Sequence, residues 1–401
     1  MSDEIGVLSL YEGFFRGGAR ILHTDVVAGL HGRGQRHRVL SIHENVYREA
    51  TFQRMRDDAC YQRLVAAGIP VTALRGAGPD DTGPQSTQFT DHELALFQRE
   101  AAASRVVVTL KEQPLRLVNQ AGWAGPVVTC LHRSDPENQG SALTELRAAV
   151  SAGRVAALIC CADATKSAYR AAGFPDGLLH VIPNGVDLRR FRPDRFARAR
   201  LRRAFAIPHD APVVAFAARY DGMKNVPLFL AAAARFLAQR PTAHVLMCGT
   251  GMTRENERLL ADLCVTGLED SGRVHLLGPR EDPQALFAAA DVVALTSTFG
   301  EAAPLCLIEG LLCGAIPVAT DVGDCAAIVA GRGLLTAPDA DAIAAAWGEA
   351  LARRNEFTPA LLAARERFGR RQMLAAYAAL IWRADGQGAR RRPSRVLEPV
   401  G

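Results

Sequence analysis

The chain has 401 residues, enough for two domains of ordinary size. Hydrophobic residues make up 49% and charged residues 22%, the balance of a protein with sizeable cores, and no run of 18 uncharged apolar residues offers a bilayer-spanning helix. The net charge of +5 comes without a basic stripe interleaved with aromatics, which argues against a nucleic-acid binder.

The opening "MSDEIGVLSL" lacks the basic region and apolar core of a secretory signal. The nine cysteines form no C-x-x-C pair, and several (Cys160, Cys248, Cys306) lie in apolar runs. They read as buried thiols in a reducing compartment, so a cytoplasmic location is expected. Only three of the 47 basic residues are lysines: Lys111, Lys166 and Lys224. A GC-rich genome accounts for the arginine bias but not for the three exceptions.

In chain order, strands are predicted at 5–10, 37–42, 70–74, 105–110, 126–131, 155–160 and 178–182, then at 212–217, 243–248, 273–277, 291–295, 316–320 and 333–335. These runs are apolar on both faces and alternate with helical stretches. That is the pattern of parallel sheets covered by helices, an α/β class with two Rossmann-like, doubly wound domains. The rhythm restarts after a turn-rich, arginine-rich passage at 181–212. Residues 1–184 are therefore expected to form the first domain and 185–366 the second, with a closing helix at 367–384 and a disordered tail at 386–401. Within that passage Arg195, Arg198, Arg200, Arg202 and Arg203 alternate with Phe196, Leu201 and Phe205, which predicts a solvated linker helix rather than one lying on a membrane. The stretch 75–91 reads as a mobile loop.

In open parallel sheets, ligands bind at the carboxyl ends of the strands, so the chemistry is sought in the loops that follow them. After the first strand, Gly17 and Gly18 precede a helix, where backbone N–H groups can approach a phosphate or sugar hydroxyl. After the first strand of the second half come Arg219 and Lys224, two cations suited to a diphosphate. Further on, "FGEAAPLCLIEGLLCG" (299–314) sets Glu301 and Glu309 around an apolar stretch, with Pro304 as a first-turn proline and Gly314 closing the helix. A carboxylate in such surroundings needs partners. The N–H groups of Leu305 and Cys306 and the positive end of the helix dipole are available to an anion. Glu309 suits two hydroxyls of a ribose, and Glu301 suits hydroxyls of a sugar beyond the phosphates; a structural ion pair for Glu309 and a helix-capping role for Glu301 are the plainer readings.

Arg219 and Lys224, then the E-x7-E of "EAAPLCLIEG", then "GAIPVATDVGD", in this order and spacing, resemble the donor domain of retaining glycosyltransferases of family 4, which have the GT-B fold. "VIPNGVD" (181–187) is similar to that family's interdomain segment, and the resemblance runs to the closing helix, which would pack back on the first domain. It implies two domains facing across a cleft, the first binding the acceptor and the second a nucleotide sugar. By position, Arg219 and Lys224 would neutralise the donor diphosphate and Glu309 would bind ribose. Glu301 with the amides of Ala302, Ala303, Pro304 and Leu305 would hold the donor sugar. Gly17 and Gly18 match the family's N-terminal glycine loop. His132 stands where the family has a histidine facing the donor sugar, although Arg133 replaces the aspartate that commonly follows.

The expected reaction moves a hexosyl group from a nucleotide-diphosphate sugar, UDP-linked first and GDP-mannose second, to a hydroxyl of a glycan or secondary metabolite. A lipid-linked acceptor would bring membrane association, which nothing in the sequence indicates. No metal or other cofactor is expected: the D-x-D at Asp339 and Asp341 begins a helix that its acids suit, and His31, His37 and His43 share no ligand face. "CGTGMTR" (248–254) lacks the third glycine of a dinucleotide loop and reads as a tight strand-to-helix turn. The competing readings are a nucleotide-sugar epimerase of the same architecture and a non-catalytic nucleotide-sugar-binding regulator.

Overall fold

A computed structural model of the protein describes residues 6–15, 17–48, 51–76 and 88–391. The chain divides into two compact units, residues 1–182 together with 371–401, and residues 183–370.

The first unit contains strands β1 (Gly6–Tyr11), β2 (Arg36–His43), β3 (Asn45–Arg48), β4 (Thr51–Arg54), β5 (Val71–Arg75), β6 (Val106–Leu110), β7 (Val127–Leu131), β8 (Val155–Cys160) and β9 (Leu179–Val181). Seven of them form one sheet in the order β5-β2-β1-β6-β7-β8-β9, every neighbouring pair parallel. β1, β6 and β7 are buried along their whole length, because helices cover both faces. Strands β3 and β4 form a separate antiparallel pair that the sequence did not suggest, since Val46, Tyr47 and Phe52 do not alternate as a strand face should. Gly13 makes room for it: a Cβ there would lie 2.6 Å from a Val46 methyl.

The second unit contains β10 (Val213–Ala217), β11 (His244–Cys248), β12 (Val274–Leu276), β13 (Val292–Leu295), β14 (Ile316–Thr320) and β15 (Leu334–Thr336). Their order is β12-β11-β10-β13-β14-β15, again all parallel. This is the doubly wound arrangement, with the direction of winding reversing between β10 and β13. Its core centres on Trp347, fully buried, with ring centroids 5.4 Å from Phe229 and 5.6 Å from Phe236. All predicted strands exist, each ending within a residue of its expected limits.

The closing helix spans Arg370–Arg391, starting later than predicted because residues 365–368 form a short 3-10 turn. It belongs to the first unit. Leu374 fills the space a Cβ of Gly29 would need, the Tyr377 hydroxyl lies 3.8 Å from the Cys130 sulfur, and Arg105 pairs with Asp385 at 2.7 Å. The helix runs through Gly386, where a disordered tail was expected; residues 392–401 lie outside the described residues, as do 77–87 of the expected loop.

The linker helix, Arg195–Ala204, is less solvated than predicted. Arg195, Arg200 and Arg203 are exposed, but Arg202 is 2% exposed. Its guanidinium meets Asp291 at 2.9 Å and the carbonyls of Ala289, His209 and Ala211 at 2.8–3.0 Å. Arg198 and Arg354 reach the same carboxylate. Burial alone would raise the Asp291 carboxyl, but the three guanidiniums outweigh it and hold the group below the usual carboxylate range.

Candidate functional site

In the second unit the loops following β10 and β13 flank the point where the strand order reverses, the place where open α/β sheets bind ligands. The loop after β10 carries Arg219 and Lys224. It is laced to the loop after β11: Ala218 N donates to the Cys248 carbonyl at 2.9 Å and Tyr220 N to that of Thr250 at 2.8 Å. So close an approach requires Gly249, whose φ is +138° and whose Cβ would stand 2.0 Å from the Ala218 oxygen. The glycines of "CGTGMTR" thus make a packing turn. Asp221 accepts from Met223 N at 2.9 Å and holds the short 3-10 turn Gly222–Lys224. Asn225, in the left-handed region at φ 49°, then caps helix Val226–Gln239 by accepting from Leu228 N. The Arg219 guanidinium lies 3.2 Å from Asp221.

The loop after β13 closes against this turn. Thr296 Oγ1 donates to the Lys224 carbonyl at 3.0 Å, and Thr298 N to that of Met223 at 3.2 Å. Glu301 and Lys224, 77 residues apart, form a direct ion pair through Oε1 and Nζ, and the Ser297 hydroxyl donates to the same oxygen at 2.6 Å. Their side chains are only 7% and 14% exposed, so this pair answers the demand for a partner that the apolar stretch imposed. Glu301 is not a helix cap. Pro304 occupies the N-cap in an extended conformation, without a side-chain bond to the helix, and Leu305–Leu312 follows. The proline therefore stands one residue earlier than a first-turn position, and Leu305 and Cys306 head the helix. Gly314, at φ +92°, ends it as expected.

The backbone ahead of the helix is fixed from two further directions. The Ala302 carbonyl accepts from Asp324 N at 2.7 Å, and the Ala303 carbonyl accepts from Asn184 Nδ2 at 2.9 Å. Gly323 allows the first contact, since a Cβ there would stand 2.3 Å from the Glu301 oxygen. Glu309, half-buried, lies four residues along the helix from Leu305. Burial pushes the Cys306 thiol up to about 12, with Lys224 acting against that and Glu301 and Glu309 adding to it. The thiol at the head of the helix thus feels the lysine and both acids. Asp339 accepts from Asp341 N and Ala342 N, so the D-x-D is a helix cap, and no group of acids, histidines and cysteines able to hold a metal ion occurs among the described residues.

Gly17, Gly18 and His132 belong to the first unit. Gly17 precedes helix Gly18–His31, and its carbonyl accepts from Arg20 N at 3.1 Å. Its φ of 172° is extended backbone open to any residue, and a Cβ would meet nothing within 4 Å, so packing does not require glycine there. His132 follows β7. Burial, then Lys111, pushes its imidazole down to about 3, so the ring is neutral at ordinary pH, and its buried Nε2 has no hydrogen-bond partner among the described residues. Arg133, in the place of the family's aspartate, makes a two-pronged pair with Asp135, which also accepts from Asn138 at 3.0 Å.

Two doubly wound parallel-sheet units are the architecture of the GT-B glycosyltransferases. The fold is shared with Anabaena Alr3699/HepE, solved in complex with UDP and glucose (TM-score 0.77, 23% identity, 94% of this chain and 100% of that one). It is shared equally with sucrose-phosphate synthase of Thermosynechococcus elongatus (TM-score 0.74, 20% identity, 96% and 100%). The family described as Glycosyltransferase Family 4 matches residues 16–190, and Glycosyl transferases group 1 matches residues 211–353. The chain belongs to the family 4 glycosyltransferases. Among curated relatives, the D-inositol 3-phosphate glycosyltransferase of Saccharomonospora viridis is 39% identical over 171 residues, 40% of this chain and 38% of that protein. The enzyme of the same name from Xylanimonas cellulosilytica is 28% identical over 355 residues, 82% of each. Nothing in these matches favours the epimerase or regulator readings.

Proposed function

We propose that the protein moves a hexosyl group from a nucleotide-diphosphate sugar to an acceptor hydroxyl with retention of configuration, using the switch-point loops of the second unit as the donor site. The observation that carries this is the buried Lys224–Glu301 ion pair that joins the two switch-point loops just ahead of the helix bearing Glu309. Cleavage of the bond from sugar to phosphate leaves extra negative charge on the diphosphate. Lys224, Arg219 and the first amides of the helix meet that charge, each charge-assisted bond contributing roughly 1.5–3 kcal/mol. Glu301 holds the ammonium in place and, with the amides of Ala302, Ala303 and Leu305, takes the sugar hydroxyls, while Glu309 takes the ribose. Gly17, Gly18 and His132 are assigned to substrate contact on the resemblance alone.

UDP-sugars come first as donor, supported by the UDP complexes of the Anabaena neighbour, and GDP-mannose second. The relatives' shared name makes D-inositol 3-phosphate the first acceptor to test, before glycans and secondary metabolites. Nine free thiols, Cys264 exposed among them, fit a reducing compartment such as the cytoplasm, and no described helix is long and apolar enough to cross a membrane.

Thermal-shift screening identifies the donor: at 100 times its dissociation constant it stabilises the fold by about 2.7 kcal/mol. With that donor, Lys224→Ala should lower turnover by about 10²–10⁴ while circular dichroism still reports a folded protein. Turnover near the wild-type level in the folded variant would sink the assignment. Because protein cations carry the leaving-group charge, dialysis against EDTA should leave the rate unchanged; loss of activity that Mg²⁺ or Mn²⁺ restores would mean a metal shares the task.

A further inference from the structure

We propose that Asn184 is a positioning residue for the donor loop, holding the 301–304 backbone so that Glu301 and the head of the helix keep their places. This rests on the donor-site reading above. Asn184 is 5% exposed, near the point where the chain enters the second unit, and reaches 119 residues along the sequence to the Ala303 carbonyl. A carbonyl oxygen only accepts, so the side chain must turn its NH2 toward Ala303, and the orientation of the amide is fixed by chemistry. The other end, Oδ1, is buried without a hydrogen-bond partner among the described residues. A side chain kept for stability alone would be expected to satisfy both ends when so deeply buried. Here one end is spent on the loop that bears Glu301, and the other is left as an acceptor beside it.

The geometry makes the contact specific. Ala302 is already tied through its carbonyl to Asp324 N, so the Asn184 bond fixes the next peptide and thereby the direction in which Pro304 launches the helix. Without it, the 303–304 peptide could rotate and carry the Leu305 amide away from the Lys224–Glu301 pair. A displacement of about an ångström at such a site is enough to cost about a hundredfold in rate.

The test compares wild type, Asn184→Asp and Asn184→Ala, using whichever of UDP-glucose and GDP-mannose raises the wild-type melting temperature. The aspartate keeps the shape and loses the donor. Positioning predicts a kcat reduced by about tenfold or more and a raised donor KM in both folded variants, with acceptor KM unmoved. UDP alone should also bind the folded variants more weakly than it binds wild type, because the helix that this bond directs carries both the amides assigned to the diphosphate and Glu309, assigned to the ribose. A kcat and donor KM within about twofold of wild type in a folded variant overturn the assignment and leave the donor site standing. Activity that falls only in step with the folded fraction, measured by thermal melting, overturns it equally. If no nucleotide sugar shifts the wild type, the donor-site reading falls, and this inference with it.

Discussion

On the proposed reading, Lys224 and Glu301 each serve both stability and chemistry. The pair is mostly buried, so replacing one partner strands the other. Glu301→Gln keeps an acceptor for Ser297 but leaves the ammonium uncompensated, and should destabilise the second unit by about 3 kcal/mol, read as a lower Tm, besides slowing transfer. Gly17→Ala is expected to do the reverse: its backbone is extended and its surroundings open, so Tm should hold while activity falls if a ligand approaches there. An unchanged rate would remove Gly17 from the site. Sequence alone marked Arg219, Lys224, Glu301 and Glu309, because charged residues stood in loops after apolar strands. It could not pair Lys224 with Glu301, since nothing local links residues 77 positions apart. Asn184 was missed for the same reason. It lay in a motif that had been noticed, yet its partner sits 119 residues away.

At the scale of elements, the strands were legible because burial on both faces writes a continuous apolar run, and the order of such runs implies the winding. The contacts between loops were not, because they depend on glycines whose role appears only when two backbones meet. Gly249→Ala should therefore cost more than a surface glycine substitution does. It combines a left-handed φ with a Cβ inside the Ala218 carbonyl, and should lower stability by more than about 2 kcal/mol while displacing Arg219. Urea denaturation, with donor affinity measured on the folded variant, checks both effects; near-normal values in each would show that the two loops give way easily. The β3–β4 pair and the inward-turned Arg202 were missed because each is decided by tertiary partners, Gly13 in one case and Asp291 in the other.

Across the whole molecule, five imidazoles among the described residues of the first unit resist protonation, His180 being one that burial lowers less far. Burial pushes His23, His37 and His132 down to about 3 and His43 to about 4, from an ordinary value of 6.5. Such groups stabilise the fold fully above pH 6.5, and that contribution is lost as pH falls toward 4 because the unfolded chain takes up the protons first. Each can remove up to about 1.4 kcal/mol per pH unit. The second unit has His275, at about 4, and His244, lowered less far. Acid titration should thus unfold the first unit before the second, with fluorescence from Trp123 changing ahead of that from Trp347; simultaneous loss would show that the two melt as one. The discontinuity of the first unit has a consequence for synthesis. Its last element, Arg370–Arg391, supplies Leu374, Tyr377 and Asp385 to a body whose strands leave the ribosome long before. The half made first must wait, unfinished, while the half made second completes itself, so the order of maturation inverts the order of translation.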